Sequence, residues 1–138
     1  MKVENDYIKK EIEKINLLLT SLIEKISGIK FSHEQNYIKE IDKNLNNIFD
    51  FTFEDFIKME PNEAIKNITT LQETNIEKFS ELLFELVINS NLSNSDKIKI
   101  AKKCILLIDI LDSKTKIFSI ERMNRKNKLL QIAEVKNQ

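Results

Sequence analysis

The chain has 138 residues, 41% hydrophobic and 32% charged, with 22 basic and 22 acidic residues that cancel to zero. This length fits one domain burying about two-thirds of its unfolded surface, and the neutral balance gives no whole-chain case for nucleic acid or anionic membrane. One glycine, one proline and one cysteine exclude glycine-rich phosphate loops, a turn-rich β fold and an internal disulfide framework.

The first predicted helix runs from Tyr7 to Ile29. Ile8, Ile12, Ile15, Leu19, Leu22, Ile26 and Ile29 recur there at alternating spacings of four and three. They form one stripe on a helix roughly 35 Å long at about 1.5 Å per residue, widened by Tyr7, Leu18 and Ile23. Asn5 or Asp6 is expected to cap it, and Gly28 to stop it in the left-handed conformation. Ser32 and Gln35 then fit a capping box. The second helix carries Tyr37, Ile38, Ile41, Leu45 and Ile48 on one face and Lys39, Lys43, Asn46 and Asn47 on the other. A short connection predicts an antiparallel pair over residues 5–51.

Residues 52–72 are irregular and aromatic. Thr52 with Asp55 predicts a short helix through Phe53, Phe56 and Ile57, and Pro61 opens another through Ala64, Ile65 and Ile68. Phe49, Phe51, Phe53 and Phe56 are expected to be buried plugs. A second capping box, Thr74 with Glu77, predicts a helix to about Asn89 bearing Ile76, Phe79, Leu82, Leu83, Leu86 and Val87. Asn94 or Ser95 should cap the next, whose inner stripe is Ile98, Ala101, Cys104, Ile105, Ile108 and Leu111. Asp112-Ser113 is expected to end it and begin a last helix with Ile117, Phe118, Ile120, Met123, Leu129, Leu130 and Ile132. The fold class is all-α, an antiparallel bundle of five to seven helices in a single domain over 1–138.

Within residues 74–135, "ELLFELVINSN" followed by "SDKIKIAKKCILLI" resembles a tetratricopeptide-type helix pair, closed by a long terminal helix. Ala101 stands where that repeat wants a small residue. The pattern departs in having no Trp, no Gly in the first helix and no Pro after the second, with Asn89 and Ser113 at about those last two places. The opening "NDYIKKEIEKINLLLTSLI" and the tail "SKTKIFSIERMNRKNKLLQIA" look like those of a family of small uncharacterised bacterial helical proteins. That resemblance implies a fold and no catalytic residues.

Chemistry finds little foothold. His33 is the only histidine and cannot complete a zinc site alone. Cys104 lies on an apolar stripe, where burial makes a thiol inert. Glu54 with Asp55 and Glu81 with Glu85 have the spacings of solvated helix faces. No cofactor, no metal and no enzymatic activity are expected. Charge is unevenly spread, however: residues 50–81 hold eight acidic and three basic side chains, and residues 113–138 hold seven basic and two acidic. Arg122, Arg125 and Lys126 share one face of the last helix. They either rest over acidic parts of their own chain or orient an acidic group of a protein or peptide partner, with Ile117, Phe118 and Met123 giving apolar contact. A protein–protein interaction module is the expected function, and a homodimer through the first or last helix is an allied one. A ligand-binding or enzymatic bundle with a pocket lined by Phe53, Phe56, Phe79 and Tyr37 is the alternative. Nucleic-acid binding through the basic terminal helix ranks below both, because the basic cluster lacks interleaved aromatics. The charged start and the absence of long apolar runs lead to the expectation of a cytoplasmic protein without membrane partners.

Overall fold

A computed structural model describes residues 2–28, 39, 42–43, 46–47, 51–68, 71–90 and 92–135. Six helices with defined bounds follow along the chain: α1 (Lys2–Gly28), α2 (Phe53–Lys58), α3 (Pro61–Ile68), α4 (Glu73–Asn89), α5 (Asn94–Thr115) and α6 (Ile120–Val135). Among the described residues there is no strand. Lys39, Asp42, Lys43, Asn46 and Asn47 are also helical, and the predicted polar face (Lys39, Lys43, Asn46 and Asn47) is exposed. The Ser32–Gln35 box, Tyr37, His33 and Phe49 lie outside the described residues.

Local chemistry accounts for several helix ends. Thr52 caps α2 through a reciprocal box: its Oγ1 accepts from Asp55 N, while its own N donates to the Asp55 carboxylate. Asp42 ties in the same turn, its Oδ1 accepting from Phe53 N at 2.9 Å. Burial pushes the Asp42 carboxyl above its ordinary range, and the Phe53 hydrogen bond opposes that shift. Pro61 opens α3 as predicted.

Other boundaries differ from expectation. Helix α1 begins at Lys2, so neither Asn5 nor Asp6 caps it, and Gly28 is its last residue with no positive φ. Gln72, not Thr74, is the N-cap of α4, and it makes no side-chain cap bond. Thr74 already lies inside the helix. Ser93 caps α5 through Asp96 N, one residue ahead of the expected Asn94. Helix α5 also runs through Asp112-Ser113 to Thr115 and ends at Lys116, at φ 55°. This left-handed residue donates its N–H to Asp112 O, closing the helix as an αL cap does.

The packing order follows from a few cross-helix contacts. Asn75 on α4 meets Ile12 and Asn16 on α1, while Phe84, farther along α4, shares a groove with Ile23. These two helices therefore run in the same direction. Cys104 on α5 meets Ser80 on α4, and Ile98 faces Ile88, so α5 returns antiparallel. Arg122 and Lys126 on α6 meet Asp112 and Asp109 on α5, which turns α6 back parallel to α4. Helices α1, α4 and α6 thus share one direction, with α5 opposed to them.

One hydrophobic cluster draws on all six helices, from Leu19, Leu22 and Ile26 through Phe53, Ala64, Phe79 and Cys104 to Leu129. Helix α5 is its hub and packs against α2, α3, α4 and α6. The stripe of α1 is buried only in part: Leu19, Leu22 and Ile26 are sealed, but Tyr7 is 65% and Ile8 50% exposed. The reason is register. Helix α4 starts level with Ile12, so earlier residues of α1 overhang it without a neighbour from that helix.

Asn75, only 1% exposed, fixes this register. Its Nδ2 donates to Ile12 O at 3.1 Å and to Asn16 Oδ1 at 2.6 Å. A buried amide with two partners penalises any slide of α1 along α4, because sliding strands both donors. Asn75→Ala is expected to cost about 1–2 kcal/mol in urea unfolding. A variant as stable as the parent would mean that α1 is not seated there.

Candidate interaction surface

The α5–α6 turn gathers four exposed apolar side chains. Ile117 is 67%, Phe118 73% and Ile120 62% exposed, with Met123 at 41% one turn into α6. The backbone beneath them is held in place. Ile117 N donates to Thr115 Oγ1, and Thr115 Oγ1 in turn donates to Leu111 O. Ser119 caps α6 by accepting from Arg122 N at 3.2 Å. Arg122 Nη2 donates to Ile117 O at 3.3 Å, so a buried guanidinium grips the carbonyl of an exposed isoleucine.

The three predicted cations face inward, toward acids of their own chain. Arg122 is 4% exposed, with Nη1 3.2 Å from Asp112 Oδ1 and Nε 3.5 Å from Glu77 Oε1. Arg125 donates from Nη2 to the other oxygen of Glu77 at 3.2 Å. Lys126 pairs with Asp109. Arg122 Nε and Nη1 make no aligned hydrogen bond, so charge proximity rather than directed bonding links Arg122 to Glu77 and Asp112. Of the six residues expected to bind a partner, Ile117, Phe118 and Met123 point to solvent, and Arg122, Arg125 and Lys126 are engaged within the fold.

Among the described residues, three hollows can be traced on the surface around this framework. A groove of about 290 Å³ runs over α4 between α1 and α6, with Ile23 and Phe84 among a rim of Glu81, Glu85, Glu121 and Lys128. A polar cleft of about 340 Å³ lies beside the start of α4, at Asn16, Glu73, Glu77 and Lys78. A third, also about 340 Å³, opens at the opposite end of the bundle and is mainly aliphatic: Val87, Ile88, Ile98 and Ile132, with Asn94 and Lys97 at its edge. Sequence reasoning did not find this last one. Its residues come from three helices, and only Ile88 stood outside a predicted stripe.

Interior chemistry is that of packing. Phe51 stacks on Phe56 with ring centroids 5.9 Å apart, and Phe56 meets Phe79 edge-on at 5.5 Å. Phe53, Phe56 and Phe79, the rings expected to line an internal pocket, are each 0–1% exposed. Cys104 is fully buried, and burial pushes its thiol up to about 12 against the opposing charge of Arg125. With so little thiolate, Cys104 should resist iodoacetamide in the native state and label only as the protein unfolds. Labelling at the rate of a free thiol would contradict its burial. Among the described residues, no group of three or more His, Cys, Asp or Glu is placed to hold a metal ion, and no helix is long and apolar enough to cross a membrane.

Lys103 is the unexpected interior charge, 3% exposed on α5. Its Nζ donates to Ile57 O at 3.1 Å and sits 5.9 Å from the centre of the Phe56 ring. That carbonyl belongs to the last turn of α2, where a cation opposes the negative end of the helix dipole. Burial holds the ammonium below the usual 10.5, the charge of Lys99 adds to the effect, and Glu60 opposes it. The unfolded chain therefore binds the proton more tightly than the folded one. This penalty is present below the lowered folded pKa and is relieved as pH rises toward 10.5. Against Lys103→Met, which cannot titrate, the parent should gain relative stability as pH rises from neutral toward that value. A constant difference between the two across urea titrations would show that Lys103 titrates normally.

The class these contacts define is an all-α helical bundle in which α5 runs antiparallel between α4 and α6 while α1 docks on α4 in the same direction. Comparisons of the chain with protein-family profiles, with curated proteins and with solved structures return no match.

Proposed function

We propose that the protein is a non-enzymatic interaction module that docks onto another protein through the apolar corner formed by Ile117, Phe118, Ile120 and Met123. The observation that carries this reading is the pairing of exposure with rigidity. Two consecutive large apolar residues, each about two-thirds or more exposed, project from a turn fixed by a left-handed cap and by the grip of Arg122 on Ile117 O. A preformed apolar corner loses little conformational freedom on binding, and aromatic anchors dominate protein contacts. The inward pairing of Arg122, Arg125 and Lys126 makes the proposed contact apolar rather than acidic.

Photocrosslinking tests it. The variant Phe118→p-benzoylphenylalanine, irradiated in source-cell extract, should form a discrete adduct that the same replacement at exposed Lys102 does not. Equal adducts from both positions would overturn the reading.

A further inference from the structure

We propose that the aliphatic cleft at Val87, Ile88, Ile98 and Ile132 binds a medium-length aliphatic carboxylate, a free fatty acid in class, with Lys97 holding the head group. This goes beyond the reading of the α5–α6 corner and does not depend on it, because corner and cleft lie at opposite ends of α5. Three helices build the cleft. Val87 and Ile88 come from the last turn of α4, Ile98 from the second turn of α5 and Ile132 from the last turn of α6. Val87 and Ile98 are buried and form its floor, whereas Ile88 is exposed and Ile132 half-buried. An aliphatic chain laid against these walls removes apolar surface of both partners from water.

Charge selects the head group. The groove over α4 is edged by Glu81, Glu85 and Glu121, and the cleft at the start of α4 by Glu73 and Glu77, so both disfavour an anion. In the aliphatic cleft none of the described lining residues is acidic, and the polar edge consists of Asn94 and Lys97. Lys97 is half-buried, and its ammonium has no ion-pair partner among the described residues. Arg122, Arg125 and Lys126, by contrast, are all paired within the fold. Asp96 and Glu134 stand on the same helices outside the lining. They lower the field at the edge, which keeps the expected affinity modest. Size agrees with the assignment. At about 340 Å³ the cleft falls at the low end of roughly 300–1,000 Å³ for ligand sites, which are mainly apolar with few polar groups. An apolar cavity of about 150 Å³ already admits benzene. The tail lies along the aliphatic wall while the head stays at the wet edge beside Lys97, which spares the carboxylate the cost of full desolvation.

Titration of the isotope-labelled full chain with octanoate, followed in amide NMR spectra, provides the test. Shifts should concentrate at Val87, Ile88, Lys97, Ile98 and Ile132 and saturate with a Kd of about 0.1–1 mM, as small-ligand efficiencies imply. Octanol, which keeps the tail and lacks the charge, should bind about threefold more weakly, the scale of an exposed ion pair. Lys97→Gln should weaken octanoate by about the same factor and leave octanol unchanged, while Lys97→Arg should preserve both affinities. Ile88→Asp alters an exposed side chain, so the fold should persist, and it should weaken octanoate and octanol alike by at least about tenfold. The absence of saturable shifts at about 5 mM octanoate, or shifts centred on the groove at Glu81 and Glu85, would overturn the proposal. Octanol binding as tightly as octanoate, or Lys97→Gln binding octanoate like the parent, would overturn it in favour of an uncharged apolar occupant.

Discussion

Phe56→Ala should lower stability by about 3–5 kcal/mol, the largest loss expected from any single truncation in this chain. The ring is 0% exposed and is held from three directions, by the Phe51 stack, the Phe79 edge contact and the Lys103 ammonium. Truncation removes the transfer free energy of the ring and leaves a cavity. It also forfeits two aromatic pairs, each worth about 0.5–1.5 kcal/mol beyond area burial, and takes the ring from under a buried cation. Since natural domains have only about 5–15 kcal/mol to lose, the urea midpoint should fall by about 2 M at a slope near 2 kcal/mol per molar. Phe56→Leu should cost about half as much, because it keeps most of the volume. A loss below 1 kcal/mol for the alanine variant would mean that the aromatic cluster does not join α2 to α4 and α5 as described.

The second large effect centres on Arg122. Arg122→Glu places a third carboxylate beside Glu77 and Asp112 at a position 4% exposed, and a cost of about 3–5 kcal/mol is expected for such an uncompensated buried charge. Arg122→Ala should cost about 2 kcal/mol, and Arg122→Met about 1. The smaller figures follow from exposure: the Glu77 side chain is 35% and the Asp112 side chain 47% exposed, so both acids stay hydrated once the cation is gone. Methionine retains the apolar stem that packs under the turn. A double-mutant cycle with Glu77→Gln should return a coupling of about 1 kcal/mol, and amide exchange at Ile117–Ser119 should accelerate in all three variants. If Arg122→Glu were tolerated, the buried placement of this guanidinium would be wrong.

Short-range chemistry carried most of the legible structure. The Thr52 box, Pro61 as a helix start and the stripes of α4 and α5 all depend on residues within a turn or two of one another, and they appear in the fold as read. The misplacements are instructive. Thr74 and Glu77 have capping-box spacing, but the helix already begins at Glu73 with Gln72 as its N-cap, so the box falls inside it. The seam of α1 predicted burial along its whole length, yet burial of Tyr7 and Ile8 depended on where α4 begins, sixty-odd residues later. Arg122, Arg125 and Lys126 were legible as one face. What lay opposite was not, because the positions of Asp109, Asp112 and Glu77 relative to them follow from inter-helix register. The acidic stretch of residues 50–81 was the nearest signal, and it supplied only Glu77. Lys103 gave no signal at all: a lysine beside Lys102 on a helix reads as solvent-facing until α2 is laid over it.

The co-directional docking of α1 on α4 bears on biosynthesis. Helix pairs α4–α5 and α5–α6 close over short connections and can form as soon as each hairpin is complete. Leu19, Leu22 and Ile26 must instead wait for their partners on α4, which the ribosome adds some fifty to sixty residues later, a delay of about 3–12 s at 5–20 residues per second. During that interval this oily ridge lacks the helix it docks on, which makes α1 a segment that gains from the shelter of a chaperone before the domain is whole.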